Sequence, residues 1–308
     1  MGHTILYLFT IILSIMSISA MSTTATAAVS SVVGRVAVVT GGNKGIGYHI
    51  ALQLASSGLF EHVILGCRNA ALGADAVTRI QKELQSKTKG RTNVDCWPLI
   101  IGDKVSHESF CASMEDRFGK MDLLVNNAGI AYKNADPTPF NIQCQPTLDI
   151  NFRGTVDFTE TMLPLLRRGQ DARMVNVASM AGGLRQLQSN QFKDKFSSDA
   201  LTMSELRQLV DQFQSNVMDG THIENGWGSS NYGMSKLALI AATKVWARNE
   251  MNHTVKVNCC CPGYCDTDMT SHKGPRHPSE GAKNAILPAT MQNCPTGQYF
   301  SNYEISQW

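Results

Sequence analysis

Val36-Ala37-Val38-Val39-Thr40-Gly41-Gly42-Asn43-Lys44-Gly45-Ile46-Gly47 is the stretch that decides the fold. Its first five residues are a short β-branched run, the composition of a strand buried on both faces. The glycines that follow let the backbone turn sharply and approach a pyrophosphate closely. The helix opening at Gly45 then offers its first N–H groups to that anion. Ile46, Ile50 and Leu54 recur at helical spacing, which predicts a helix over 45–57. The spacing departs from G-x-G-x-x-G, and an ordinary tight turn is the competing reading. The strand before and the helix after favour a dinucleotide site, held by Gly41, Asn43, Lys44, Gly45, Ile46 and Gly47.

Outward from this unit, strand and helix patterns alternate. Strands are expected at 62–67, 96–101, 123–126, 174–178 and 255–260, with helices at 69–85, 107–118, 146–168 and 232–251. Pro146 suits the start of the third of these helices, and Pro164 is expected to bend or shorten it. Crossovers of this length impose parallel pairing, so the fold class is α/β: a single Rossmann-type doubly wound parallel sheet. Residues 180–230 break the alternation. They read as an inserted, partly helical segment, too rich in Gln and Ser for a hydrophobic core of its own.

With 308 residues, 43% hydrophobic and 17% charged, the chain has enough apolar material for one large domain over 34–308. A formal net charge of +2 without any long like-charge run argues against nucleic acid or an acidic membrane as the main partner. Nine cysteines is an odd number and their spacing is unlike a small secreted disulfide framework. Cys259, Cys260 and Cys261 are consecutive on an expected strand, so they cannot all face one ion, and no His pair stands at ligand spacing. The expectation is no metal and free thiols, with a reactive thiol near the substrate as the alternative.

The N-terminus is a different kind of sequence. Residues 5–18 are almost wholly apolar and uncharged, short for a membrane span but suited to a signal h-region, and Ala25-Thr26-Ala27 suits a cleavage site. Residues 1–27 therefore read as a signal, targeting or anchor segment, which implies the secretory pathway or an organelle. No Lys or Arg precedes the apolar run, and translation from Met21 would instead leave a cytoplasmic protein.

The cofactor type follows from charge. An acid at the end of the second strand suits the ribose of NAD, whereas a cation there suits a 2′-phosphate. This strand ends Leu65-Gly66-Cys67-Arg68, and Lys44 lies in the glycine turn. Arg68 and Lys44 together point to NADPH.

Taken together, residues 40–47, Asn126-Asn127-Ala128-Gly129, Ser179, Tyr232-Gly233-Met234-Ser235-Lys236 and Pro262-Gly263 resemble the short-chain dehydrogenase/reductase family over about residues 34–308. Ala135-Asp136-Pro137-Thr138-Pro139-Phe140, Asp268-Met269, the final Gln307-Trp308 and the 53-residue separation of Ser179 and Tyr232 resemble its monomeric carbonyl reductases. The resemblance implies a monomer, because in those relatives the insertion covers the helical face used for tetramers. It implies NADPH-dependent reduction of an aldehyde, ketone or quinone. It also implies cofactor contacts from Asn127, Ala128, Gly129, Tyr232, Lys236, Pro262 and Gly263. An acid expected near the adenine ring at the end of the third strand is replaced here by Ile100, with Asp103 three residues on.

Tyr232 and Lys236 are four residues apart and share a helix face. A neighbouring ammonium is expected to lower the phenol pKa and equip Tyr232 as general acid. Ser179 is expected to hydrogen-bond the substrate carbonyl. Asn151 resembles the family residue that orders a water leading to Lys236. Ser179, Met180, Tyr264 and Met269 are the substrate-side residues, each with a packing role as its competitor. In relatives, the segments holding Cys261 and Tyr132 border a surface that accommodates glutathione, so glutathione conjugates are a further candidate ligand. The rival readings are a ketone-specific terpenoid or alkaloid reductase and a non-catalytic NADP(H)-binding sensor.

Overall fold

The computed structural model describes residues 34–87, 92–133 and 135–308. The N-terminal signal or anchor segment read from the sequence lies outside the described residues. Among the described residues, no helix is long and apolar enough to cross a membrane.

One eight-stranded sheet organises the molecule, in the order β3-β2-β1-β4-β5-β6-β7-β8. Its strands are β1 (Val36–Thr40), β2 (His62–Cys67), β3 (Asn93–Pro98), β4 (Leu123–Asn126), β5 (Arg173–Val177), β6 (Lys256–Cys261), β7 (Tyr299–Ser301) and β8 (Glu304–Ser306). The strands from β3 across to β7 pair in parallel, and only β7 with β8 is antiparallel. Chain order reverses between β1 and β4, which opens a crevice beyond their carboxyl ends. β1 and β4 are buried along their whole length, as their unbroken apolar runs require.

The helices are α1 (Gly45–Ser56), α2 (Ala70–Lys87), α3 (Lys104–Phe118), α4 (Phe140–Leu148), α5 (Thr155–Leu166), α6 (Asn190–Ser197), α7 (Met203–Met218), α8 (Asn231–Asn249) and α9 (Pro278–Thr290). One core unites Ile50 and Leu54 of α1, Ile80 of α2, Val39, Leu65, Val125 and Val175 of the sheet, and Ala285 of α9. A buried polar ladder crosses the sheet. Asn126 donates to Thr159 and Asn176, both at 2.9 Å, and Asn176 donates to Thr243 at 2.8 Å. It ties β4 and β5 to α5 and α8, so the helix carrying Tyr232 cannot slide without unpairing buried amides.

Four expectations are corrected. β3 ends at Pro98, so Ile100 lies beyond the strand. Pro98 cannot donate to a ladder, and β3 is an edge strand whose polar Asn93 and Asp95 hid it within an apolar search. The long helix starts at Phe140 rather than Pro146, because Pro139 takes the N-cap and Pro146 is carried inside α4. Between α4 and α5 the chain widens into a π-helical turn at Asp149–Gly154, and α5 ends two residues after Pro164. β7, β8 and α9 were absent from the sequence reading. A three-residue strand lacks the alternation that periodicity detects.

The inserted segment is the fourth correction. It builds an aromatic nucleus of its own: Trp227 is fully buried and stacks on Phe192 at 3.7 Å, with Phe196 and Phe213 on its edges. Trp227 Nε1 donates to Asn216 at 2.9 Å, so the burial leaves no indole donor unpaired. These residues lie far apart within a polar segment, and only folding gathers them. α7 is held to the body by Arg207–Asp157 at 2.7 Å and Arg153–Asp211 at 2.5 Å.

Candidate active site

The glycine turn is set by geometry that other residues refuse. Gly41 and Gly45 have φ of +66° and +56°, the left-handed region that glycine enters freely. At Gly47 a Cβ would lie 2.3 Å from the Gly41 carbonyl oxygen and 2.4 Å from Asn127 Nδ2. Asn127 locks the turn from the β4 side, donating to the carbonyls of Thr40 at 2.9 Å and Gly41 at 3.2 Å. Thr40 Oγ1 returns the contact by accepting from the Asn127 and Ala128 amides at 3.0 and 2.9 Å. The α1 N-terminus has no side-chain cap, with Lys44 at the N-cap position. Uncapped first-turn amides behind a tight glycine bend fit the pyrophosphate of a dinucleotide.

The two cations expected on a 2′-phosphate are placed differently. Arg68 is exposed at the end of β2. Lys44 instead pairs with Asp268 at 2.6 Å, so its ammonium already has an anion from the loop after β6. A third cation was missed: Arg79 of α2 donates to the Asn43 carbonyl at 3.2 Å and lies over the Tyr48 ring. It stands a full helix away from the turn in sequence, and no motif marks it. Ile100 is 42% exposed and lines a cavity of about 570 Å³ with Ile101, Gly102, Asp103, Ile142 and Met218. Asp103 caps α3 by accepting from the Ser106 amide at 3.0 Å.

The catalytic candidates converge beyond β4, β5 and β6. Lys236 is 4% exposed, and its Nζ donates to Val177 O at 2.8 Å. Its Nζ stands 5.7 Å from the centre of the Tyr232 ring. At Gly129 a Cβ would fall 3.0 Å from Asn151 Oδ1 and 3.6 Å from Lys236 Nζ, so the bare glycine leaves room for both. The π turn swings Asn151 inward, where its amide accepts from Ile130 N at 2.7 Å. It also donates to Ile130 O at 2.8 Å and Ser235 Oγ at 3.0 Å. Asn151 thus pins the Asn127–Ile130 stretch to the Tyr232 helix, a positioning task added to the relay role expected of it.

Ser179 follows β5 as N-cap of a short 3₁₀ turn, its Oγ accepting from Ala181 N at 3.2 Å. Burial pushes the Tyr232 phenol up to about 12, and a hydrogen bond from Ser179 pulls against it. The depression expected from Lys236 is not present: burial lowers that lysine itself to about 8, and its ammonium points at the Val177 carbonyl. Gln186 was missed by the sequence reading. Its Nε2 bridges the carbonyls of Ala181 and Gly233 at 2.8 and 3.0 Å, fastening the Ser179 turn to the start of α8.

On the substrate side, Met180, Tyr264 and Met269 are 50%, 50% and 41% exposed. They sit on the segments after β5 and β6, beside Pro262 and Gly263, where Gly263 has φ of +81°. Cys261 is buried, and its sulfur accepts from the Met180 and Gly263 amides at 3.2 and 3.3 Å. It braces these loops from behind and does not border an open surface. All nine cysteines are free thiols, as expected. Among the described residues no cluster of His, Cys, Asp or Glu could hold a metal ion.

Comparison with known proteins identifies the family. The family model described as short chain dehydrogenase matches residues 35–192 and 216–277, leaving out most of α7. Carbonyl reductase [NADPH] 1 of Homo sapiens is 37% identical over 284 residues, which covers 89% of this chain and 98% of that protein. The structure of salutaridine reductase from Papaver somniferum matches with a TM-score of 0.78 at 29% identity, covering 87% of this chain and 99% of that one. Menthone neomenthol reductase from Mentha piperita matches with a TM-score of 0.74 at 28% identity, covering 88% and 99%. With Ser179, Tyr232, Lys236 and Asn151 gathered beside an uncapped glycine turn, and a family model spanning most of its length, this chain belongs to the short chain dehydrogenase family.

Proposed function

We propose that the protein is an NADPH-dependent carbonyl reductase that converts an aldehyde, ketone or quinone to an alcohol, with Tyr232 as general acid. The observation that carries this reading is the meeting of Tyr232, Ser179 and buried Lys236 at the carboxyl edge of the sheet, next to the uncapped α1 N-terminus. NADPH, when bound, supplies the hydride. The chain's own residues bind, orient and protonate. The α1 amides and the glycine turn would hold the pyrophosphate, and Arg68 with Lys44 would hold the 2′-phosphate.

Tyr232 stays protonated throughout the neutral range, because burial holds its phenol up at about 12. It therefore presents a loaded donor to the substrate oxygen as negative charge develops there. The Ser179 hydroxyl supplies a second hydrogen bond to that oxygen. The Lys236 ammonium favours the tyrosinate left after proton transfer, and Asn151 keeps the two halves of the site in register.

Support for the carbonyl as reacting group comes from the printed names of the relatives and from Tyr232 itself. The half-exposed apolar rim of Met180, Tyr264 and Met269 also favours a bulky cyclic ketone, so a terpenoid- or alkaloid-type ketone reductase is the second reading. The covering of the π-helical turn and α5 by α7, through Arg153–Asp211 and Arg207–Asp157, supports a monomer.

The test follows NADPH absorbance with quinones, aromatic aldehydes and cyclic ketones, for the wild type and Tyr232→Phe. Substrate-dependent oxidation that falls about a hundred- to ten-thousand-fold in the variant is expected. NADPH binding without turnover across the panel would favour the sensor reading.

A further inference from the structure

Two thiols outside the catalytic set meet beneath the glycine turn. Cys67 ends β2 and is 1% exposed, whereas Cys96 lies on the edge strand β3 and is only partly buried. The register pairs Leu65 with Cys96 and Cys67 with Pro98, which makes the two cysteines diagonal neighbours on one face of the sheet. That face is covered by α2, and at the point of contact the helix carries Gly73. A Cβ there would lie 2.0 Å from Cys96 Sγ and 3.3 Å from Cys67 Cβ, so both side chains occupy one notch in the helix. The two thiols act on each other in opposite senses, Cys67 being raised and Cys96 lowered, which favours the thiolate on Cys96. Gly66, next to Cys67 in β2, accepts the Gly41 amide at 2.8 Å, so the glycine turn is tied to the end of β2.

We propose that Cys67 and Cys96 form a peroxide-reactive dithiol whose closure to a disulfide pulls the end of β2 from beneath the glycine turn and weakens dinucleotide binding. Cys96 is the attacking group, because it is the more exposed of the two and carries the thiolate. Its sulfur attacks one oxygen of hydrogen peroxide; the O–O bond breaks, an S–O bond forms, and the departing hydroxide leaves as water with a proton. The Cys67 sulfur then displaces hydroxide from the Cys96 sulfenic acid. The S–S bond forms, the S–O bond breaks, and the Cys67 proton leaves in a second water. Two thiols have lost two electrons and one peroxide has become two waters. A dithiol reductant reverses the change by exchange.

Diagonal neighbours on a sheet stand about 7–8 Å apart, so closure draws the ends of β2 and β3 together by about 1 Å. The consequence is local, because Gly66 holds the Gly41 amide on one side of Cys67 and Arg68 follows on the other. The effect on binding rests on the dinucleotide reading above; the disulfide itself does not.

The experiment oxidises the full chain with hydrogen peroxide, blocks remaining thiols, digests with trypsin and weighs the peptides. NADPH binding is titrated by protein fluorescence before and after oxidation. The expected product links peptide 45–68 to peptide 92–104, each of which holds one cysteine, and dithiothreitol separates them. NADPH affinity falls about tenfold on oxidation and recovers on reduction. In Cys96→Ser the link is absent and peroxide leaves affinity unchanged. Free Cys67 and Cys96 after peroxide, or their linkage to other cysteines, would overturn the dithiol. A correct link with undiminished NADPH binding would overturn its coupling to the turn. A reduced chain that binds no NADPH counts against the cofactor reading instead, and the linked peptide still decides the dithiol.

Discussion

The dinucleotide side and the substrate side of this cleft are built from different materials. Around the glycine turn the decisive groups are backbone: carbonyls of Thr40 and Gly41, amides of Asn127 and Ala128, and the uncapped start of α1. Side chains there lock that backbone, and space is so tight that a methyl group at Gly47 has nowhere to go. Across the cleft, Met180, Tyr264 and Met269 are half-exposed side chains on loops, braced from behind by buried Cys261. The first side cannot change without remaking the turn, whereas the second can be rewritten one residue at a time. A cofactor common to many substrates and a rim selective for a few are what such a division provides.

Four measurements break or sharpen that contrast. Gly47→Ala should have the largest effect: a Cβ against the Gly41 carbonyl costs enough strain to weaken NADPH binding about a hundredfold. Turnover at saturating NADPH should be far less affected, and equal losses in both would place Gly47 in the chemistry as well. Next, Lys44→Ala combined with Arg68→Asp should lower the NADPH-over-NADH preference about tenfold or more. An unchanged ratio would remove both cations from the 2′-phosphate and point to Arg79 in their place.

The pH profile of kcat tests the join between the two sides. Lys236 is lowered to about 8 and Tyr232 is raised to about 12, both by burial. As pH rises through about 8 the ammonium is lost while the phenol stays protonated, so kcat should fall on the alkaline side. In Lys236→Arg that fall should move upward, and a wild-type profile flat to high pH would deny the lysine charge any part. The smallest effect belongs to the rim. Tyr264→Ala should change KM about two- to fivefold, in a direction that depends on the carbonyl compound, with NADPH binding unmoved. A larger effect on kcat than on KM would place Tyr264 against the reacting atoms.

Much of this was legible in the residues, for reasons that differ from place to place. β1, the turn and α1 are encoded within one short stretch, because strand, glycine and helix signals there are local and consecutive. Ser179, Tyr232 and Lys236 were readable because their motif neighbours are fixed in order along the chain. Asn151 was legible as a residue but not as a clamp, since its inward swing depends on a π turn that periodicity does not report. Gln186 and Arg79 gave no signal, because each acts on a carbonyl brought near only by folding. The Lys44–Asp268 pair, across 224 positions, gives that cation a partner the sequence did not announce. The inserted segment misled by average polarity, because Phe192, Phe196, Phe213 and Trp227 are too sparse to read as a core until they stack.

By itself, the sequence determined the α/β alternation, the parallel sheet, the glycine turn and the candidate residues that the fold brings together beyond it. These rest on local backbone preferences and on hydrophobic period, which act over a few residues. Tertiary structure alone decided how the phenol and the lysine are perturbed, which anion Lys44 meets, and where Cys67 and Cys96 lie. Those outcomes depend on burial and on contacts between distant segments. Desolvation and close approach are properties of a packed interior, and a linear chain has none until it folds.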